Sequence, residues 1–571
     1  MNKRIVMKYH IISALRILLF FGVFGVYAQS HQEHVYLRVN TASLLSGESL
    51  YYKIYVLDES NKPSSLSKLA YIELFDGKKN TVTKQKVLVN EGIASGDLFI
   101  DKEIASGSYK LIAYTNEALK NTELFQTDLL VVNPYQNNFE NWESSSDTTG
   151  TSQEIVKKDV VIKSSDLLLL NNHEFGKREK VVVNFDREIL KNTSFLEGNY
   201  SLSVRKIDAF SKIESIPESK NFKHYLFKDA SLDTKQITAE FRGNIISGKL
   251  TGDDIANKTI TASVPGNPFQ FKLATTNENG DFYLVLDNPL PSSTVYLQPL
   301  NTTDALVTID SFYIPKKAIR EIKSYDLKLA MQPDIAERAV ADQIENAYYD
   351  YKRDTLLEVA NESVKKFYAP LEKIYYLDDF TRFPTMQETI VEIVKELYFK
   401  KKKGKYTLHS RDYENEYSEN LFGETLIFID GIIIRDTDQF FNYDARKIDR
   451  IEVVNSGYFY GGKLFNGIAS VYTKEGDFIL ENNDEFPVYK KEMLPLSSTK
   501  TYFKPTYKTA TSNARIPDYR YQLVWEPIFN LKEKANYSFY TSDVPGLYEI
   551  TLDGFTSNGD PVSMCTQILV K

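Results

Sequence analysis

Along most of the chain, apolar residues fall at every second position in short runs closed by Gly, Asn, Ser or Pro. This is the pattern of strands with one buried face. His34–Val39, Leu50–Val56 and Lys110–Tyr114 are such runs near the N-terminus, and Phe175–Val183 with Gly198–Val204 repeats the scheme. Gly243–Gly252, Lys258–Ala262 and Thr275–Leu286 follow, with Asn279-Gly280 set for a hairpin turn. Tyr537–Leu552 gives strand, Pro-Gly turn, strand. In between, the period lengthens to that of a helix. Ile335, Ala339, Ile344, Ala347 and Tyr348 recur at helical spacing within 334–368, the longest helix expected. Ile390, Ile393, Val394 and Leu397 share one face of a second helix over Met386–Leu397. The basic run Lys400–Lys403 reads as a solvated helix end.

The stretch from Gly423 to Gly476 is the most structured locally. Leu426–Ile429 and Ile432–Ile434 are apolar runs joined by Asp430-Gly431, residues that tolerate the positive φ of a tight turn. Asp444 is placed to cap a helical turn or two ending at Ile448. Strands are expected at Ile451–Val454 and Ile468–Tyr472, with Gly461-Gly462 breaking the chain between them.

Phe-Ile-Asp-Gly at 428–431, Ile-Asp-Arg-Ile-Glu-Val-Val at 448–454, Tyr-Gly-Gly at 460–462 and Asn466–Gly476 occur in the order and spacing of a receptor plug. In these residues the segment 371–476 resembles the plug domain of TonB-dependent outer-membrane receptors. The resemblance implies a small α+β domain that sits inside or beside something else. Fewer than a hundred residues follow Gly476, and even a small barrel needs eight strands of about 9–11 residues. The chain is therefore expected to lack its own barrel, and the receptors' transport activity does not carry over.

Two further resemblances concern the β runs. Ser46–Tyr55 and Ile104–Thr115 resemble the macroglobulin-type immunoglobulin-like fold of the alpha-2-macroglobulin family. Gly243–Gly252, Lys258–Ala262 and Thr275–Leu286 resemble carboxypeptidase-regulatory-like modules, a name that implies no peptidase here. The expected fold class is thus mainly β, tandem immunoglobulin-like sandwiches with one small α+β plug-like domain and a helical connector. Expected boundaries are a signal peptide at 1–28, sandwiches at 29–134 and 154–227 with a linker at 135–153, a third sandwich at 237–316, the connector at 333–370, the plug-like domain at 371–476 and a fourth sandwich at 501–571.

Composition adjusts the picture in three ways. Aromatics make up 13% of the chain, mostly Tyr and Phe, which favours sheets. Lys3, Arg4 and Lys8, the apolar run Ile17–Val26 and Val26-Tyr-Ala28 form a secretory signal, so the mature chain is expected to begin at Gln29, in the periplasm, at the outer membrane or on the cell surface. Removing the signal's four basic residues leaves 65 basic against 77 acidic, a net charge of −12, which argues against nucleic acid as partner. The only cysteine is Cys565, so no intrachain disulfide forms.

Catalytic, cofactor and metal sites are not expected. The six His are scattered, and no His-Glu-x-x-His, nucleophile elbow, Walker loop or dinucleotide fingerprint occurs. Macroglobulin thioesters use Cys-x-Glu-Gln. Here Cys565 is followed by Thr566 and Gln567, so the thioester is absent, and Cys565 reads as a buried small residue of the last strand. Asp430 and Gly431 read as a structural turn rather than an acid–base site. The candidate contact residues are Tyr458, Phe459, Tyr460, Lys463 and Phe465, because aromatics flanked by Gly make good interface anchors. The expected function is a non-enzymatic cell-envelope protein presenting the plug-like domain to an integral outer-membrane β-barrel protein or complex, without small-molecule cofactor. The alternatives are a macroglobulin-like protease-binding or surface-adhesion protein, or a secreted protein with a C-terminal sorting domain.

Overall fold

The computed structural model describes residues 32–136 and 168–571, except 187–190, 213, 230–231, 235–236, 301–304, 326–330, 358–365, 369–371, 412–424, 483–484, 508–514 and 533–535. The signal segment 1–28 and all but the first two residues of the linker 135–153 lie outside the described residues. The architecture is mainly β: sandwiches, one mixed five-stranded sheet with helices on it, and one long helix among the described residues.

The first sandwich sets Ser49–Leu57 between His34–Val39 and Ile93–Phe99. Facing them is a sheet in the order Glu123–Val132, Gly107–Tyr114, Leu69–Phe75, Thr81–Leu88. Alternation explains the burial. Leu50, Tyr52, Ile54 and Val56 enter the core, while Lys53 and Tyr55 point the other way and are nonetheless buried. Their face is covered by a second sandwich. Lys53 donates to the carbonyl of Tyr200 at 2.8 Å and Tyr55 to that of Asp553 at 3.2 Å.

That second sandwich corrects the expected domain list. Asn199–Lys206 lies between Gly546–Phe555 and Gln522–Phe529, and Pro561–Val570 continues the sheet to Glu174–Phe175. The opposing sheet places Lys180–Phe185 between Asn536–Tyr540 and Leu168–Leu170. The runs assigned to separate sandwiches at 154–227 and 501–571 build one domain with one core, in which Val181, Val183, Tyr200 and Leu202 pack with Phe529, Ile550, Leu552 and Ile568. Neither half has enough strands to bury its own apolar face. Cys565 pairs across from Thr551 in the last long strand and is half-buried, not buried.

The third sandwich joins Asp281–Leu286, Asn244–Thr251 and Leu306–Ile309 to a sheet of Gln270–Thr275, Thr259–Val264 and Thr294–Pro299. Tyr489–Glu492, from beyond the plug-like segment, adds a strand to its edge. The plug-like sheet runs in the order Lys373–Tyr376, Ile448–Val454, Ile468–Thr473, Leu426–Ile429, Ile432–Ile433. One face carries Met386, Ile390 and Val394 and the helix Thr437–Asn442. The other carries Phe428, Tyr472 and the aromatics of the third sandwich.

Three local expectations change. The long helix spans Gln332–Ala347 only, and a single 3-10 turn at Tyr349–Tyr351 and the short strand Thr355–Leu356 follow it. Tyr348 to Tyr351 is aromatic-rich, and aromatic residues lose side-chain freedom against the preceding helical turn. The second helix ends at Glu392. Leu397 then starts the hairpin Leu397–Lys402 with Lys405–Ser410, turned at Lys403-Gly404 with φ of 53° and 89°. The basic run is thus a hairpin tip. Asp444 caps the short 3-10 turn Ala445–Lys447, accepting from the Arg446 amide at 3.0 Å.

Candidate functional site

The Asp430-Gly431 turn is a two-residue hairpin turn with both φ positive, 50° and 85°. This is the type I′ geometry that matches strand twist. Asp430 is buried and also acts as a clamp. Its carboxylate accepts from the Thr473 amide at 2.8 Å, the Thr473 hydroxyl at 2.6 Å and the Phe478 amide at 3.2 Å. Gly431 lies against the third sandwich so closely that a Cβ there would be 2.3 Å from the Cβ of Phe269.

The sheet edge at Ile432–Ile433 is sealed by the same neighbour. The Ile433 amide donates to the Ser263 hydroxyl at 3.1 Å, and Gln298 donates to the Ile433 carbonyl at 2.9 Å. Phe269 packs tilted on Phe428 and Phe271 meets it edge-on, with centroids 5.1 and 4.9 Å away. The plug-like sheet is therefore fixed to the third sandwich along one edge and one face. Between the layers, Glu452 accepts from Lys366 and Tyr368, each at 2.7 Å, and from Arg450 at 3.0 Å. Against the effect of burial, these donors hold its carboxyl below the usual range.

The five candidate contact residues separate. Tyr458–Tyr460 and Lys463–Phe465 form a small hairpin. Tyr458 donates to the Phe367 carbonyl, Tyr460 donates to the Phe271 carbonyl at 2.5 Å, and Phe465 is buried in the same cluster. Burial pushes the Tyr460 hydroxyl up to about 12. These three pack within the chain, in the aromatic cluster that the plug-like sheet shares with the third sandwich and Phe367, not in the cluster of the helix beginning at Met386. Phe459, 70% exposed, and the half-exposed Lys463 remain outward. Gly461 is seated on Leu273 and Gly462 faces open space. The opposite sheet edge, Lys373–Tyr376, pairs on one side only among the described residues, with Ile374 42% and Tyr376 50% exposed.

A cleft of about 550 Å³ opens where the first sandwich, the helix Gln332–Ala347 and the second sandwich meet. Helix residue Arg338 is only 1% exposed. It grips Glu48 with two bonds of 2.6 Å and donates to the Ser43 carbonyl at 2.8 Å. Tyr51 stacks on Trp525 at 6.3 Å and meets Tyr502 edge-on at 4.8 Å. Lys500 pairs with Asp97 at 2.9 Å and Lys352 with Glu345 at 2.5 Å. Arg205 reaches Glu48 only at 3.7 Å, and its Nε and Nη2 are buried without a hydrogen-bond partner, as is Trp525 Nε1. Burial and the neighbouring Arg338 lower the Arg205 guanidinium to about 10. Burial and the nearby Glu48 push the Asp342 carboxyl up to about 7. The lining comes from six separated parts of the chain, so spacing does not reveal it. Its one sign in the sequence is Arg338 and Asp342 on the helix stripe that also carries Ile335 and Ala339. Among the described residues no group of three or more His, Cys, Asp or Glu could hold a metal ion.

No protein-family model and no curated protein matches the chain. Among solved structures it is similar to trypsin-activated alpha-2-macroglobulin from Escherichia coli, at 7% identity and a TM-score of 0.23, covering 95% of this chain and 42% of that one. A Salmonella alpha-2-macroglobulin mutant matches at 9% identity and a TM-score of 0.24, covering 95% and 40%. Dimeric latent PorU from Porphyromonas gingivalis matches at 10% identity and a TM-score of 0.14, covering 95% and 34%. The chain spans about two-fifths of the macroglobulins it matches, and the TM-scores are too low for activity, substrate or partner to be carried across.

Proposed function

We propose that this chain is a non-enzymatic, exported binding protein of the cell envelope. Its macroglobulin-like sandwiches form a rigid body that carries the plug-like unit and docks it against an integral outer-membrane β-barrel protein or complex. The observation that carries this reading is the asymmetry of the plug-like sheet. The edge at Ile432–Ile433 is sealed by Ser263 and Gln298, whereas Lys373–Tyr376 is paired on one side only among the described residues and leaves Ile374 and Tyr376 exposed. An open strand edge takes up an extended segment of a partner through main-chain hydrogen bonds. The contact is accordingly moved from the hairpin at 458–465 to this edge. The test is affinity purification of the full chain from detergent-solubilised envelopes, wild type against Ile374→Lys/Tyr376→Lys. Loss of a co-purifying outer-membrane protein at unchanged thermal stability supports the reading. Undiminished recovery of the same protein refutes it.

Protease binding is a second reading, favoured by the macroglobulin-type motifs of the first sandwich. Because Gln567 and Ile568 stand where the thioester motif has Glu and Gln, such binding would be non-covalent. Methylamine treatment should leave the mass of the protein unchanged, and an adduct at Gln567 would overturn this.

A further inference from the structure

The cleft between the two large sandwiches contains charged groups of both signs whose hydrogen-bonding capacity is left unfilled among the described residues. Most of its ionic groups are paired internally, Arg338 with Glu48, Lys500 with Asp97 and Lys352 with Glu345. Arg205 shares Glu48 with Arg338 and reaches it only at 3.7 Å, and Asp342 makes no ion pair among the described residues. Arg205 is 8% exposed and stands on Asn199–Lys206, diagonal to Trp525 on the facing strand, since Ser203 pairs with Trp525 and Arg205 with Gln522. Arg205 Nε, Arg205 Nη2 and Trp525 Nε1 are three buried donors without an acceptor. Buried donors are rarely left so, because each costs the desolvation of the group with no return. Asp342 stands on the helix, where among the described residues its one hydrogen bond is from Asn346 at 3.1 Å. The nearest carboxylate of the first sandwich is Glu48, which repels it. Asp354 also lines the cleft and, among the described residues, accepts the Phe503 amide at 2.9 Å. Tyr51 and Tyr502 furnish an aromatic wall between the two sides.

We propose that this cleft binds a small zwitterion with an aromatic or apolar body, a free amino acid or a dipeptide. The ligand carboxylate takes the Arg205 fork and the Trp525 N–H, its ammonium faces Asp342 and Asp354, and its side chain lies on Tyr51 and Tyr502. Arginine presents parallel donors that match a carboxylate. Ammonium groups gain from carboxylates and from aromatic faces. The volume falls within the range of small-molecule sites, about 300–1,000 Å³. Burial and the like charge of Arg338 shift Arg205 down, and burial and the like charge of Glu48 shift Asp342 up, and a ligand ion of opposite sign would relieve each. The inference is independent of the partner-binding reading, because the cleft and the open edge of the plug-like sheet share no residue.

The test is calorimetric titration of the full mature chain with L-alanyl-L-phenylalanine, its N-acetyl derivative and its C-terminal amide. The intact dipeptide should bind, and each blocked form should lose about tenfold or more in affinity. Trp525→Phe keeps the ring and removes the N–H, so it should weaken the dipeptide and the N-acetyl form alike. Asp342→Asn should weaken the dipeptide and spare the N-acetyl form. No binding of the dipeptide at millimolar concentration, or equal binding of all three compounds, overturns the proposal. So does binding that neither variant changes.

Discussion

Replacing Gly431 by Ala tests how the plug-like unit is held. Two penalties act at this position. The first is conformational: φ is +85°, where a side chain costs about 1–2 kcal/mol. The second is steric, because the new Cβ would lie 2.3 Å from the Cβ and 2.5 Å from the Cγ of Phe269. Phe269 is 2% exposed and wedged among Phe428, Tyr368 and Phe367. It cannot swing aside without moving the third sandwich or the turn, and such overpacking costs about 1–3 kcal/mol. Gly462 supplies the control. Its φ is +77°, yet nothing lies within 4 Å of its would-be Cβ. Gly462→Ala should therefore cost only the conformational part, and Gly431→Ala about 2–5 kcal/mol. Amide hydrogen exchange of Leu426–Ile429 and Gln270–Thr275 reads both penalties locally, which matters in a chain whose units need not unfold together. Faster exchange in both strands for Gly431→Ala, with little change for Gly462→Ala, is the expected result. Equal effects of the two substitutions would refute the account of the Gly431–Phe269 contact.

Further predictions concern the charges, the hairpin and the return strands. Arg338→Leu should cost about 3–5 kcal/mol in chemical denaturation, because it leaves Glu48 buried without its two guanidinium hydrogen bonds and with only Arg205, 3.7 Å away, as cation. Asp342 has its folded pKa raised from 3.8 to about 7. Stability from this group is therefore complete below about pH 4 and is lost as pH rises to about 7. Asp342→Asn should flatten the thermal-stability profile in that window, and an unchanged slope would contradict the assignment. Tyr460→Phe should cost about 1 kcal/mol by unpairing the Phe271 carbonyl, whereas Phe459→Ser should fall within about 0.5 kcal/mol of wild type in the same melts. Deleting 501–571 should unfold the strands at 168–206, seen as loss of their exchange protection, because their sheet partners go with the tail.

What was legible in the sequence was what local pattern controls. The strands Leu426–Ile429 and Ile468–Thr473, the turn at Asp430-Gly431 and the cap at Asp444 follow from alternation and turn chemistry acting over a few residues. The partners of strands do not. Asn199–Lys206 and Gly546–Phe555 are neighbours in the sheet though some 350 residues separate them, and nothing in either run names the other. Each half-sandwich consequently looked whole, and Tyr489–Glu492 gave no sign that it finishes the third sandwich. The same limit governed the sites. Tyr458, Tyr460 and Phe465 have the composition of interface anchors, and they are anchors, but to Phe271 and Phe367 of their own chain. The cleft needed residues from Glu48 to Trp525 to be brought together by the fold before the unfilled donors of Arg205 and the carboxylate of Asp342 could be seen.

The central claim is that the open edge of the plug-like sheet meets an outer-membrane protein. Site-specific photo-crosslinking in intact envelopes addresses it most directly, with a benzophenone side chain placed singly at Ile374, at the outward Phe459 and at the sealed Phe271. The account predicts an adduct with an integral outer-membrane protein from position 374 and none from 271. No adduct at 374, or one formed from 459 alone, would contradict it.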